Sequence, residues 1–191
     1  MRTPIVLCLI MAAAACDSGS APPAEAADAV PPLRSAVSIE EVMRYMIDPA
    51  ADAIWESVMT IVTDEGVEEI APETEEDWER LRGHAVTLTE STNLVLMDDR
   101  PVTAEGSVSD LPGVDLEPGQ IAELLAANRS AWTQLTLGLR DSGVQVLEAI
   151  DSRDLDALLV AGDGLDLACE NCHVQFWYPD LSGQTRATTT N

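Results

Sequence analysis

Apolar residues recur at three- and four-residue intervals along four stretches of the chain, the period of helices that bury one face. The first stretch carries Ile39, Met43, Ile47, Ile54, Val58 and Ile61. Ser38 precedes it with Glu41 three residues on, the pairing of a capping box. Pro49 interrupts it: either Asp48 caps a second half-helix with proline at its first position, or the helix kinks there. The second stretch starts near Thr74, with Asp77 at the capping-box position, and runs through Trp78, Leu81, Ala85, Leu88, Thr92 and Val95. The third begins near Pro118 and carries Ile121, Leu125, Trp132, Leu135, Leu139, Val146 and Ile150. The fourth, with Ser152 as its expected cap, carries Leu155, Leu158, Leu165, Cys169, Cys172 and Phe176.

Alternation with period two is not sustained long enough to predict a sheet, although residues 85–97, rich in Thr and Val, read either way. Four amphipathic helices within residues 38–179 predict an all-α domain, an antiparallel four-helix bundle. The connection over residues 98–117 is long and holds Pro, Gly and acids, so it is expected to lie across the bundle surface. Each helix brings one tryptophan, Trp55, Trp78, Trp132 and Trp177, for which packing is the expected role.

The ends read differently. Residues 1–16, MRTPIVLCLIMAAAAC, set Arg2 before an apolar run and small residues, the layout of an export signal too short to span a bilayer as an anchor. The stretch from Ala13 to Cys16 resembles the lipobox of bacterial lipoproteins, in which the cysteine is lipidated and becomes the mature N-terminus. A plain cleaved signal peptide is the alternative. Either way the expected destination is outside the cytoplasm, and the expected membrane attachment is through lipid on Cys16 alone. Residues 17–37 contain two Pro-Pro pairs amid Ala, Ser and Gly, the composition of a tether, and residues 180–191 read as a flexible tail.

Charge narrows the partners. The 191 residues hold 34 Asp plus Glu against 10 basic residues, all arginine, for a formal net charge of −24. Nucleic acid and anionic membrane surfaces would repel such a chain.

The string Cys169-Glu170-Asn171-Cys172-His173 carries the chemistry. On a helix, residues 169, 172 and 173 share one side. Two thiols so placed reach the two vinyl groups of one porphyrin as thioethers, and the histidine meets the iron as its proximal ligand, the C-x-x-C-H signature of c-type haem. Other readings of the motif lack partners. A structural zinc site wants four ligands and His84 is the remaining histidine; an iron–sulfur cluster wants four thiolates, whereas Cys8 and Cys16 lie in the signal region. A thioredoxin-like motif would need a βαβ context. With Cys16 lipidated and one pair holding a single covalent haem c, no disulfide is needed.

A C-x-x-C-H near the end of a four-helix chain, preceded by a methionine-bearing first helix, resembles the cytochrome c′ and cytochrome c-556 family. The resemblance covers about residues 38–179 and is specific at Cys169, Cys172, His173 and the following Phe176. It implies one of two chemistries. The c′ type leaves the distal iron face to an apolar side chain and binds small gases such as nitric oxide or carbon monoxide. The c-556 type places a first-helix methionine on the iron and transfers electrons. Met43, on the apolar stripe, is the preferred sixth ligand here; Met46 is the second choice, and an open position is the alternative. Arg44 is a candidate partner for a haem propionate, and His84 is read as a surface or hydrogen-bonded histidine. Where the family sets a basic residue after the aromatic, this chain has Trp177, Tyr178 and Pro179, a departure that favours electron transfer.

The expectation is therefore a monohaem electron carrier of the bacterial periplasm rather than an enzyme, with His173 and Met43 as iron ligands. Its redox partner would present a basic docking patch. A gas-binding cytochrome c′ and a non-redox metal-binding lipoprotein are the alternatives, and a homodimer is open.

Overall fold

The structure, a computed structural model, describes residues 33–178. The expected signal with Cys16, most of the tether and the tail lie outside the described residues.

A first helical rod is built from α1 (Ile39–Val42), a π segment (Met43–Ile47) and α2 (Asp48–Trp55). The Ser38 hydroxyl accepts from the Glu41 amide while the Glu41 carboxylate accepts from the Ser38 amide, completing the capping box. The π segment follows from Pro49. Proline has no N–H for the Tyr45 carbonyl, and its ring crowds that carbonyl. The backbone responds by sending the Asp48 N–H back to the Met43 carbonyl, five residues away, which widens the turn. The rod is therefore neither broken nor sharply capped by Asp48, but locally over-wide.

After Trp55 the expected stripe fails. Val58 and Ile61 do not continue the helix; the chain forms a hairpin of β1 (Met59–Thr63) and β2 (Gly66–Ile70), antiparallel, with Ile61 opposite Glu68 and Val62 opposite Val67. The Ser57 hydroxyl donates to the Ile54 carbonyl and ends the helix. Five β-branched residues among the six from Val58 to Thr63, with Gly66 at positive φ after the turn, favour extended backbone over helix.

Helix α3 (Glu75–Val95) opens with the expected Thr74–Asp77 box. Its Thr-rich stretch is helical because Thr89 and Thr92 donate to carbonyls of their own helix, at Ala85 and Thr89, so their buried hydroxyls are satisfied. The expected third helix is two: α4 (Pro118–Ala127) and α5 (Arg129–Ser152), broken at Asn128, whose side-chain amide donates to the Leu124 carbonyl. Helix α6 (Leu155–Phe176) takes its cap from Asp154, which accepts from the Ala157 amide. Ser152 is not the cap; it is the last residue of α5, and its hydroxyl donates to the Glu148 carbonyl.

The rod, α3, α4 with α5, and α6 make the antiparallel four-helix bundle, with the hairpin as its one departure from an all-α chain among the described residues. Helices α3 and α5 close tightly: a Cβ on Gly143 would collide with the Thr89 hydroxyl and press Leu88. The connection over residues 98–117 fastens to both ends of the fold. The Ile39 and Glu40 amides of α1 donate to the Pro101 and Val102 carbonyls, and the Leu116 amide donates to the Trp177 carbonyl at 2.9 Å. No helix of the described residues is long and apolar enough to cross a membrane.

Candidate cofactor site

The first rod, α5, α6 and the long connection stand apart around a cavity of about 430 Å³, a volume ordinary for a ligand site. Cys169, Cys172 and His173 of α6 are all in its wall. Facing elements supply Met43, Ile47 and Ala51 of the rod, Leu135 and Leu139 of α5, and Leu111 and Asp115 of the connection. The helical repeat makes this possible: residues 169, 172 and 173 lie on one side of α6, and Phe176, one turn further, anchors that side in the core edge-to-face with Trp132 (5.4 Å, 88°).

Electrostatics fix the protonation of the three motif side chains. Burial pushes the Cys169 thiol up to about 11, helped by the charges of Asp166, Asp48 and Glu170. Burial pushes the Cys172 thiol up to about 12, with Cys169 adding to it. The His173 imidazole is lowered by burial against the opposing pull of Glu170, Asp48 and Asp115. At neutral pH the site thus holds two protonated thiols and a neutral imidazole, the form in which histidine binds a metal. Tyr178 stacks edge-on against His173 (5.8 Å, 65°), and the Trp177 and Tyr178 amides both donate to the His173 carbonyl, so the chain wraps the histidine as α6 ends.

The other sequence candidates separate. Met43, in the π segment, is a wall residue, half-buried. Met46, three residues on, packs against the core and is not in the wall. Arg44 is in the wall at its rim, half exposed, and already bonded to Glu40 at 2.8 Å and Asp110 at 2.6 Å, charges that raise its pKa. His84 lines a separate surface depression with Glu56, Asp77 and Arg80. Cys16 lies outside the described residues. Trp55, Asp48, Asp115 and Tyr178 also line the site; the sequence reading assigns Trp55 to packing, Asp48 to a helix cap, Tyr178 to the departure after Phe176, and Asp115 to no role. Tyr178 was readable as the turn following His173, whereas Asp115 comes from a loop with no periodicity to place it.

The donor set fits a c-type haem. Two thiols and one imidazole converge on a largely apolar cavity, and among the described residues no group of three or more His, Cys, Asp or Glu could hold a bare metal ion. Two wall residues keep unpaired buried polar atoms, the Trp132 indole N–H and the Asp115 Oδ1, so polar demand is left for an occupant.

No protein-family model and no curated protein matches the chain. Solved structures similar to it include a nitric oxide complex of a point mutant of cytochrome c prime from Alcaligenes xylosoxidans, 16% identical with a TM-score of 0.47, covering 76% of this chain and 99% of that one. Another nitric oxide complex of a mutant of the same protein is 18% identical with a TM-score of 0.44, covering 71% and 93%. A ferrous variant of it is 16% identical with a TM-score of 0.43, covering 76% and 99%. At these identities and scores the likeness assigns no function.

Proposed function

We propose that this chain is a monohaem c-type cytochrome of the bacterial periplasm that passes single electrons. The observation that carries the reading is that Cys169, Cys172, His173 and Met43 share the wall of one cavity. In this reading Cys169 and Cys172 would hold the porphyrin through thioethers, and His173 and Met43 would ligate its iron. Bound there, haem supplies the one-electron Fe(III)/Fe(II) couple, which a methionine ligand raises in potential. The protein's own part is to hold His173 neutral and wrapped by Tyr178, and to line the ring with aliphatic side chains that keep water off it. Export through residues 1–16 and lipid on Cys16 belong to the same proposal.

Gas binding is the second reading. Ile47, Ala51 and Trp55 continue the wall beyond Met43 with mainly apolar atoms, a surface suited to a neutral diatomic if Met43 stays off the iron. The first test is common to both. The chain, produced together with the machinery that attaches haem c, should carry one covalent haem that survives denaturing electrophoresis and disappears in Cys169→Ala/Cys172→Ala. A wild-type chain that emerges colourless would end both readings.

A further inference from the structure

The long connection runs over the mouth of the cavity. Leu111 and Asp115 enter the wall, the Arg44–Asp110 ion pair (2.6 Å) holds one side, and the Leu116–Trp177 hydrogen bond (2.9 Å) holds the other. Within seven residues this strap exposes three aliphatic side chains, Val108 at 74%, Leu111 at 58% and Val114 at 54%. The same stretch carries Glu105, Asp110, Asp115 and Glu117, and the cavity wall that Leu111 enters also carries Glu40, Asp48, Asp166 and Glu170. Arg44, the cation of the wall, is already paired with two carboxylates. Exposed apolar side chains in a segment of one sign of charge are the form of a docking surface, with its complement a surface of opposite charge.

The β hairpin supplies the contrast. It exposes Val62 at 74% and Val67 at 66% amid Asp64, Glu65, Glu68 and Glu69, nearly the same chemistry, yet none of its residues is in the cavity wall. Electron exchange falls steeply with distance, and of the two surfaces the strap is the one that itself lines the cavity. We propose that residues 105–117 form the docking surface for a redox partner protein whose own contact face is an apolar patch ringed by lysine or arginine. The inference rests on the redox reading given above.

The experiment takes haem-loaded protein, its covalent haem verified first, reduces it, and mixes it in stopped flow with ferric mitochondrial-type cytochrome c, a lysine-rich basic haem protein, as probe. One electron passes from the reduced chain, which is oxidised, to the probe, which is reduced. Glu105→Gln/Asp110→Asn at the strap and Glu68→Gln/Glu69→Gln at the hairpin remove the same net charge. At low ionic strength the strap pair should slow the bimolecular rate about three- to tenfold and the hairpin pair less than about twofold, the difference shrinking as salt rises. Val108→Ser/Val114→Ser should slow it too, with the absorption spectrum unchanged. Amide chemical shifts of the loaded protein should move on titration with the probe at residues 105–117. Equal slowing by both charge-matched pairs, or shifts gathered on the hairpin, would overturn the docking surface while leaving the haem reading intact. Failure to acquire haem would instead overturn the redox reading, and the docking surface with it.

Discussion

The same four-helix frame is closed in one place and open in another. Around Leu88, Thr89 and Gly143, helices α3 and α5 approach so nearly that one added methyl group would collide, and α5 reaches α6 through a Ser142–Gly164 hydrogen bond. Around Met43, Ile47 and His173 the helices enclose about 430 Å³ of space instead. The closed region takes glycine and small hydroxyl residues, with Thr89 and Thr92 donating within their own helix and Ser142 across to α6. The open region takes a proline-widened π segment, two buried thiols and an imidazole. An enclosed apolar void costs stability in proportion to its volume, whereas this cavity is partly open to solvent. The closed region holds the fold together, and the open region leaves a volume that an occupant would fill.

The contrast breaks most sharply if the occupant is kept out. Cys169→Ala/Cys172→Ala should lose the covalent haem and melt about 10–20 °C below the loaded wild type, which a thermal scan of both proteins would measure. Core truncation should do the reverse. Leu88→Ala should cost about 2–5 kcal/mol in a denaturant titration, and Gly143→Ala about 1–3 kcal/mol from overpacking. Both should leave the visible spectrum of the loaded protein unchanged, since neither residue is in the wall.

Much of both regions was legible in the sequence, through different signals. The closed region follows from helical periodicity, and Ser38, Thr74 and their acidic partners mark helix starts by capping chemistry alone. The motif cysteines and histidine needed only helical spacing to be placed side by side. The hairpin was missed because Val58 and Ile61 also fit the helical repeat, and a two-stranded ribbon is too short to establish a period of its own. The break at Asn128 depends on one side-chain hydrogen bond in an otherwise continuous apolar stripe. Asp115 and Leu111 enter the site only because backbone bonds at Leu116, and at Ile39 and Glu40, pull an aperiodic loop across the mouth.

Acid–base behaviour should sharpen the same contrast. Both thiols are raised above the ordinary value of 9, to about 11 and about 12, so their contribution to stability is whole below pH 9 and is lost as pH rises through the 9-to-12 range. The haem-free chain should therefore weaken over that interval by several kcal/mol, up to about 7 kcal/mol at about 1.4 kcal/mol per pKa unit. Haem-loaded protein, its sulfurs held as thioethers, and haem-free Cys169→Ala/Cys172→Ala should both lack this alkaline limb in pH-dependent denaturation. His173 works in the other direction. Its folded pKa lies below the ordinary 6.5, so the haem-free chain gains protons on unfolding as pH falls below 6.5 and loses stability there.

The smallest effects test the element ends. Asp154→Ala and Thr74→Ala should each cost about 1 kcal/mol, because each removes a side chain that accepts from a first-turn amide. Ser152→Ala should cost about half a kcal/mol or less, since its hydroxyl donates to a carbonyl of its own helix rather than capping the next one. Equal losses at Ser152 and Asp154 in urea titrations would move the helix start back to Ser152.

The most direct test of the open region's purpose is the absorption spectrum of the matured protein, ferric and ferrous, with and without carbon monoxide, for wild type, Met43→Ala and Met46→Ala. Wild type should show a methionine–iron charge-transfer band and no response to the gas, with the band lost in Met43→Ala and kept in Met46→Ala. A high-spin wild-type spectrum that shifts when carbon monoxide is added would contradict Met43 ligation and make the cavity a gas-binding site.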